Sequence, residues 1–204
     1  MDEDARLMEQ VKNGDTAAFD LLMNRYKKPV LNFIYRMVPD VATAEELAQD
    51  VFVRIYIARS RYRPQARFST WLFKIATNTT LKYIRKNRRL IRQSEMDRPG
   101  DEGTGRFYKI SVEPGNTALE NVERKEMAEL IRQALRELPE KERMALSLRK
   151  YEDFSYKEIA AIMKCSVGAI KTYIHRGKLR LRDVILKMER PLEPAPVPKK
   201  VVRS

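Results

Sequence analysis

Cysteine and histidine are almost missing from this chain: its 204 residues include one of each. A lone cysteine cannot close an internal disulfide, which fits a reducing compartment. One histidine, one cysteine and no paired carboxylates in a recognisable pocket leave no metal site and no nucleophile–base pair, so no catalytic residue, metal or cofactor is expected. Glycine is scarce at seven residues, and strand-type alternation is hard to find. The expected fold class is therefore all-α. No apolar run approaches the ~20 residues that a membrane-spanning helix needs. The acidic start MDEDARLMEQ is unlike a secretory signal. The expectation is a soluble, cytoplasmic protein with no membrane insertion.

Acids are missing from one long stretch. Between Val51 and Ser94 there is no Asp or Glu, while twelve Lys or Arg occur, against a net charge of +13 for the whole chain. Interleaved with these cations are Phe52, Tyr56, Tyr62, Phe68, Trp71, Phe73 and Tyr83. Cations neutralise phosphates and release counterions, and aromatic rings stack on unpaired bases. The combination points to single-stranded or distorted nucleic acid, and a nuclease or recombinase would need carboxylates that this surface lacks. Phe52 reads as core. Tyr62 and Phe68, in the loop RYRPQARFS, are the aromatics expected to be exposed. Just upstream, Asp40, Glu45, Glu46 and Asp50 are the only charges between Val38 and Val53. They fit either a solvated helix face with its acids near the N-terminus or a docking surface for a basic protein.

The stretch from Ser155 to Arg182, SYKEIAAIMKCSVGAIKTYIHRGKLRLR, carries the most specific signal. Ser155 and Glu158 form a capping box, Lys164-Cys165 makes a turn, and Ser166 caps a second helix. In that helix Val167, Ile170, Ile174, Gly177 and Leu181 recur at three- and four-residue intervals and are expected to face inward. Thr172 and Arg176 lie opposite, flanked by Lys171, Tyr173 and His175. A short apolar helix bracing a cationic one is a helix-turn-helix, whose second helix fits the major groove of duplex DNA.

The remaining elements follow from caps and breakers. Asp4 is expected to cap a first helix ended by Gly14, and Asp15 a second that Pro29 kinks or restarts. Thr43 with Glu46 reads as another capping box, and Ser69 or Thr70 as the cap of the helix beginning near Trp71. Thr117 with Glu120 reads as a third box, opening a helix through Leu119, Val122, Leu130, Ile131 and Ala134. Pro139 is expected at the first position of the next helix. The expected organisation is a domain over residues 1–92, a Gly- and Pro-bearing linker over 93–116, a helix-turn-helix domain over 117–190, and a Pro-rich basic tail over 191–204.

In order and spacing, AEELAQDVFVRIY, RFSTWLFKIATNTTLKYIRKNRR and the helix-turn-helix segment together resemble the extracytoplasmic-function sigma factors of bacterial RNA polymerase. The resemblance implies a two-domain initiation factor whose partners are core RNA polymerase, promoter DNA and an anti-sigma factor. It implies docking on the clamp of the largest polymerase subunit through Leu47, Gln49, Asp50, Val51 and Phe52. It implies capture of the unpaired −10 element by the loop from Arg61 to Ser69 and the helix after it, with Arg63, Arg67, Phe68, Trp71, Lys74, Asn78, Lys82 and Arg85 as contacts. The −35 element would be read by the helix that begins near Val167. Lys171, Thr172 and His175 would contact bases, and Arg176, Lys178 and Arg180 phosphates. Tyr173 stands in the same helix where the family often carries arginine, and Lys164 stands where its turn often carries glycine.

Overall fold

The computed structural model describes residues 3–38, 40–96 and 118–189. Among these every regular element is helical: α1 (Glu3–Lys12), α2 (Thr16–Tyr35), α3 (Val41–Ile57), a 3-10 turn (Arg59–Arg61), α4 (Phe68–Met96), α5 (Ala118–Arg136), α6 (Glu140–Tyr151), α7 (Tyr156–Met163) and α8 (Val167–Glu189). Most of the linker, Thr117, the side chains of Leu119 and Val122, and the C-terminal tail lie outside the described residues.

Local sequence explains most element ends, with several corrections. Asp15 caps α2 by accepting from the Ala18 N–H at 3.1 Å, and Gly14 ends α1 at φ +98°, where a side chain would be strained. Asp4 does not cap α1. It lies buried within the helix, where its carboxylate accepts from Arg25 on α2 and, at 2.5 Å, from the Tyr26 hydroxyl. Pro29 does not restart α2, which runs unbroken from Thr16 to Tyr35. The cap of α3 is Asp40, accepting from the Thr43 N–H at 2.7 Å, so Thr43 is the donor that is capped rather than the cap. Helix α4 starts at Phe68, ahead of Ser69 and Thr70, and continues to Met96, into residues expected to be linker. Pro139 precedes α6 as its N-cap rather than occupying its first turn.

Helices α1 to α4 pack on one another, as do α5 to α8, and the two groups also meet where α7 lies on α4 and α6 on α2. Their buried side chains form one connected core that includes Met8, Phe33, Val51, Phe73, Met144, Phe154 and Ile174. Burying such a side chain is worth about 1.5–3 kcal/mol, so the shared core is the main term holding the helices in place.

Candidate nucleic-acid interface

The helix-turn-helix is built as its sequence predicts. The Ser155 hydroxyl accepts from the Glu158 N–H at 3.3 Å, and Glu158 Oε2 accepts from the Ser155 N–H at 2.8 Å. Burial would raise the Glu158 carboxyl, but hydrogen bonds from the Ser155 hydroxyl and N–H, together with the charge of Arg67, outweigh it and hold it below its ordinary range. The chain leaves α7 through Lys164, in the left-handed region at φ 53°, and the Cys165 N–H closes the turn on the Ala160 carbonyl at 3.1 Å. Burial lifts the Cys165 thiol above its ordinary range, against the opposing charge of Lys141, so the residue stays a neutral turn thiol. Ser166 then caps α8 by accepting from the Ala169 N–H at 3.1 Å.

Helix α8 turns Ile170, Ile174 and Gly177 into the core. Gly177 is required there: a Cβ at that position would meet Leu146 Cδ1 of α6 at 2.7 Å. Val167, expected inward, is exposed instead, at the very start of α8, whereas Ile170 one turn on is fully buried. Lys171, Thr172, His175, Arg176 and Lys178 are exposed on the outward side. The Thr172 hydroxyl donates back to the Gly168 carbonyl at 3.1 Å, leaving its oxygen lone pairs facing out. Tyr173 is half-buried, with the Lys141 ammonium 5.9 Å from its ring centre. Arg180, expected on a phosphate, places Nε 3.2 Å from Glu142 Oε2 on α6, so it also ties α8 to α6.

The acid-free segment departs further from expectation. Tyr62 and Phe68 are not exposed: their relative accessibilities are 0 % and 1 %. They form an edge-to-face cluster with Trp71 and Tyr26, with centroids 5.1 Å apart for Tyr62–Trp71 and 5.4 Å for Tyr26–Phe68. The two rings peg both ends of the loop into the core, so Phe68 is no base platform in this arrangement. The loop presents Arg63 and Arg67 instead, and Trp71 remains half-exposed. On α4, Lys74, Asn78 and Lys82 stand at four-residue intervals on one stripe, with exposed Arg85 beyond them. Asn78 and Lys82, with Lys86, line one side of a groove of 570 Å³ whose other wall is Asp50, Arg54 and Ile57 of α3. Asp50 is the single carboxylate among its lining residues and accepts from Arg54 Nε at 2.8 Å.

The residues expected to dock the polymerase divide in two. Leu47, Val51 and Phe52 are buried against neighbouring helices, with Leu47 reached only from within the groove that it helps to line, whereas Gln49 is exposed and Asp50 half-exposed. Periodicity along α3 reported which residues face the core, and those three are on that face. The outward residues include Glu45, Glu46 and two apolar side chains that were missed, Val53 and Ile57, exposed to 55 % and 69 %. Their signal in the sequence was a four-residue spacing in phase with Gln49, on the polar side of the helix.

A family model described as Sigma-70 region 2 matches residues 22–90, and one described as Sigma-70, region 4 matches residues 128–181. The RNA polymerase sigma-H factor of Pseudomonas aeruginosa is 34 % identical over 198 residues, spanning 94 % of this chain and 96 % of its own. The ECF RNA polymerase sigma factor SigW of Bacillus subtilis is 35 % identical over 175 residues, spanning 86 % of this chain and 92 % of its own. Among solved structures, the sigma factor RpoE in complex with the anti-sigma factor NepR from Bartonella quintana superposes with a TM-score of 0.63 at 24 % identity. The match covers 84 % of this chain and 98 % of that one, and supports the likeness of fold.

Proposed function

From the premise that this chain belongs to the extracytoplasmic-function sigma factors of the sigma-70 family, and so directs promoter-specific transcription initiation by RNA polymerase, we propose a division of labour between its two groups of helices. Helices α5 to α8 form the module that reads duplex DNA at −35. Helices α1 to α4 form the module that engages the polymerase and holds unpaired DNA at −10. Sigma factors are not a class of enzyme, and in this reading no bond is made or broken by the chain itself.

The observation that carries the −35 assignment is the outward face of α8, where Lys171, Thr172, His175, Arg176 and Lys178 are all exposed above a buried apolar stripe. Lys171, Thr172 and His175 contact base edges, while Arg176 and Lys178 neutralise phosphates. Tyr173 and Arg180 position the helix and hold it on α6. At −10 the contacts fall to Arg63, Arg67, Trp71, Lys74, Asn78, Lys82 and Arg85, with Phe68 shaping the loop from within. The exposed face of α3, with Glu45, Glu46, Gln49, Asp50, Val53 and Ile57, docks the clamp: acids meet a basic partner, and the two apolar side chains supply buried area. Leu47, Val51 and Phe52 support that face from behind. An anti-sigma partner and a cytoplasmic location belong to the same proposal. Among the described residues no helix is long and apolar enough to cross a membrane.

Run-off transcription with core RNA polymerase and a promoter library tests this reading. The expected result is initiation dependent on both elements, with one enriched pair of −35 and −10 sequences. No co-elution with core polymerase and no initiation would refute it.

A further inference from the structure

The two flanks of the outward face of α8 carry unequal charge. By helical geometry Ala169, Tyr173, Arg176 and Arg180 share one flank, Lys171 and Lys178 the other, and Thr172 and His175 lie between. A helix seated in the major groove meets one sugar–phosphate backbone on each side. Lys171 and Lys178 are both exposed, so their flank presents two cations. The opposite flank is poorer than its sequence reads, because one of its arginines is committed elsewhere.

That arginine is Arg180. Its Nε stands 3.2 Å from Glu142 Oε2, and the Glu142 side chain is only 7 % exposed. Drawing Arg180 away to a phosphate would leave a nearly buried carboxylate unpaired, which is strongly unfavourable. Tyr173, two turns earlier on the same flank, carries no charge. Arg176 is then the one arginine of this flank left for a backbone.

The neighbouring helix makes up the difference. Lys141, in the first turn of α6, is exposed, and its Nζ lies 5.9 Å from the centre of the Tyr173 ring. This is the outer limit of cation–π attraction, so the ring draws the ammonium to this flank without tying it down. The charge of Lys141 also reaches the Cys165 thiol in the turn before α8, where it opposes the effect of burial. Among the described residues Lys141 forms no ion pair, in contrast to Arg180. Gly177 explains the approach: with no side chain there, α8 closes on Leu146 and Glu142, and the first turn of α6 comes up beside the outward face.

Resting on the −35 reading above, we propose that Lys141 is a phosphate-contacting residue of the −35 interface, supplied by α6 in place of Arg180 and of the arginine that the family often carries at position 173. Its target is a backbone phosphate, so it adds affinity on every sequence and discriminates among none. The interface is thus built from two helices.

The test measures binding of the holoenzyme to duplexes carrying a library of −35 elements at several salt concentrations. Lys141→Ala should weaken binding about three- to tenfold at low salt, equally across the library, and reduce the salt dependence by about one ion. Lys141→Arg should keep the parent behaviour, and Tyr173→Arg should restore it to Lys141→Ala. Glu142→Gln with Arg180→Gln, which leaves no buried charge unpaired, should keep the salt dependence of the parent. An unchanged salt dependence in Lys141→Ala, a loss confined to some −35 sequences, or a loss of one ion in the Glu142 and Arg180 double variant would each overturn the inference. A parent holoenzyme that discriminates among −35 elements while Lys141→Ala matches it refutes this inference alone. A parent that shows no −35 preference refutes the −35 reading and the inference with it.

Discussion

Phe73 of α4 and Phe154 of the α6–α7 turn meet edge-to-face at 69°, each almost fully buried, although 81 positions separate them in the chain (154 less 73). The pair is one apolar contact between the two groups of helices within their shared core. Phe154→Ala removes a core aromatic, a change that costs about 3–5 kcal/mol where the site cannot collapse. The expected outcome is that thermal unfolding, followed by circular dichroism, divides from one transition into two. A single transition shifted as a unit would show that the groups are coupled by other contacts.

The outward face of α8 yields a prediction about specificity. Lys171→Ala should relax discrimination at one or two −35 positions, at a cost of about 1–3 kcal/mol. Lys178→Ala should instead weaken binding uniformly across sequences and reduce the salt dependence by about one ion. Binding of a −35 library by the holoenzyme at several salt concentrations separates the two effects.

Gly177 faces Leu146 where α8 crosses α6, and a Cβ there would also lie 3.1 Å from Leu146 Cγ. Gly177→Ala gains about 1 kcal/mol of helix propensity but overpacks the crossing by about 1–3 kcal/mol. The net expectation is a loss of about 1 kcal/mol in denaturant unfolding, larger for Gly177→Val. Recovery on combining Gly177→Ala with Leu146→Ala would confirm that the two side chains compete for one space.

Lys164 ends α7 at φ 53° and ψ 50°, a conformation that costs an ordinary residue roughly 1–2 kcal/mol. Lys164→Gly relieves that strain, while the greater freedom of glycine in the unfolded chain offsets part of the gain. A stabilisation of about 0.5–1 kcal/mol is expected, read as a higher denaturant midpoint with unchanged slope.

Glu158 makes the stability of the C-terminal helices depend on acid. Its carboxyl is held below its ordinary range, net of a burial effect in the opposite direction. A group whose folded pKa is depressed contributes stability above its unfolded value, and that contribution is lost as pH falls through the folded value. Thermal stability should therefore drop on acidification below the ordinary glutamate range of about 4.3. Glu158→Gln should flatten this part of the profile, and Ser155→Ala should cost about 1 kcal/mol at neutral pH.

The amino-acid sequence alone determined what depends on near neighbours. The helical class, the Ser155–Glu158 box, the Ser166 cap and the exposure of Lys171, Thr172, His175 and Arg176 all follow from spacings of four residues or fewer. Such spacings report which side of a helix is apolar, and for α8 the apolar side is the buried one. Only the tertiary structure decided the fate of Tyr62 and Phe68. A loop aromatic is exposed or buried according to what distant elements place beside it, here Tyr26 of α2. For Leu47, Val51 and Phe52 the periodicity of α3 already marked the inward side, whereas the exposure of the apolar Val53 and Ile57 was decided by which neighbours pack on the helix. Arg36 and Glu152, whose side chains pair at 3.2 Å, are the extreme case. Each reads as an ordinary surface charge, and their meeting is set by how two groups of helices share one core, which no local pattern encodes.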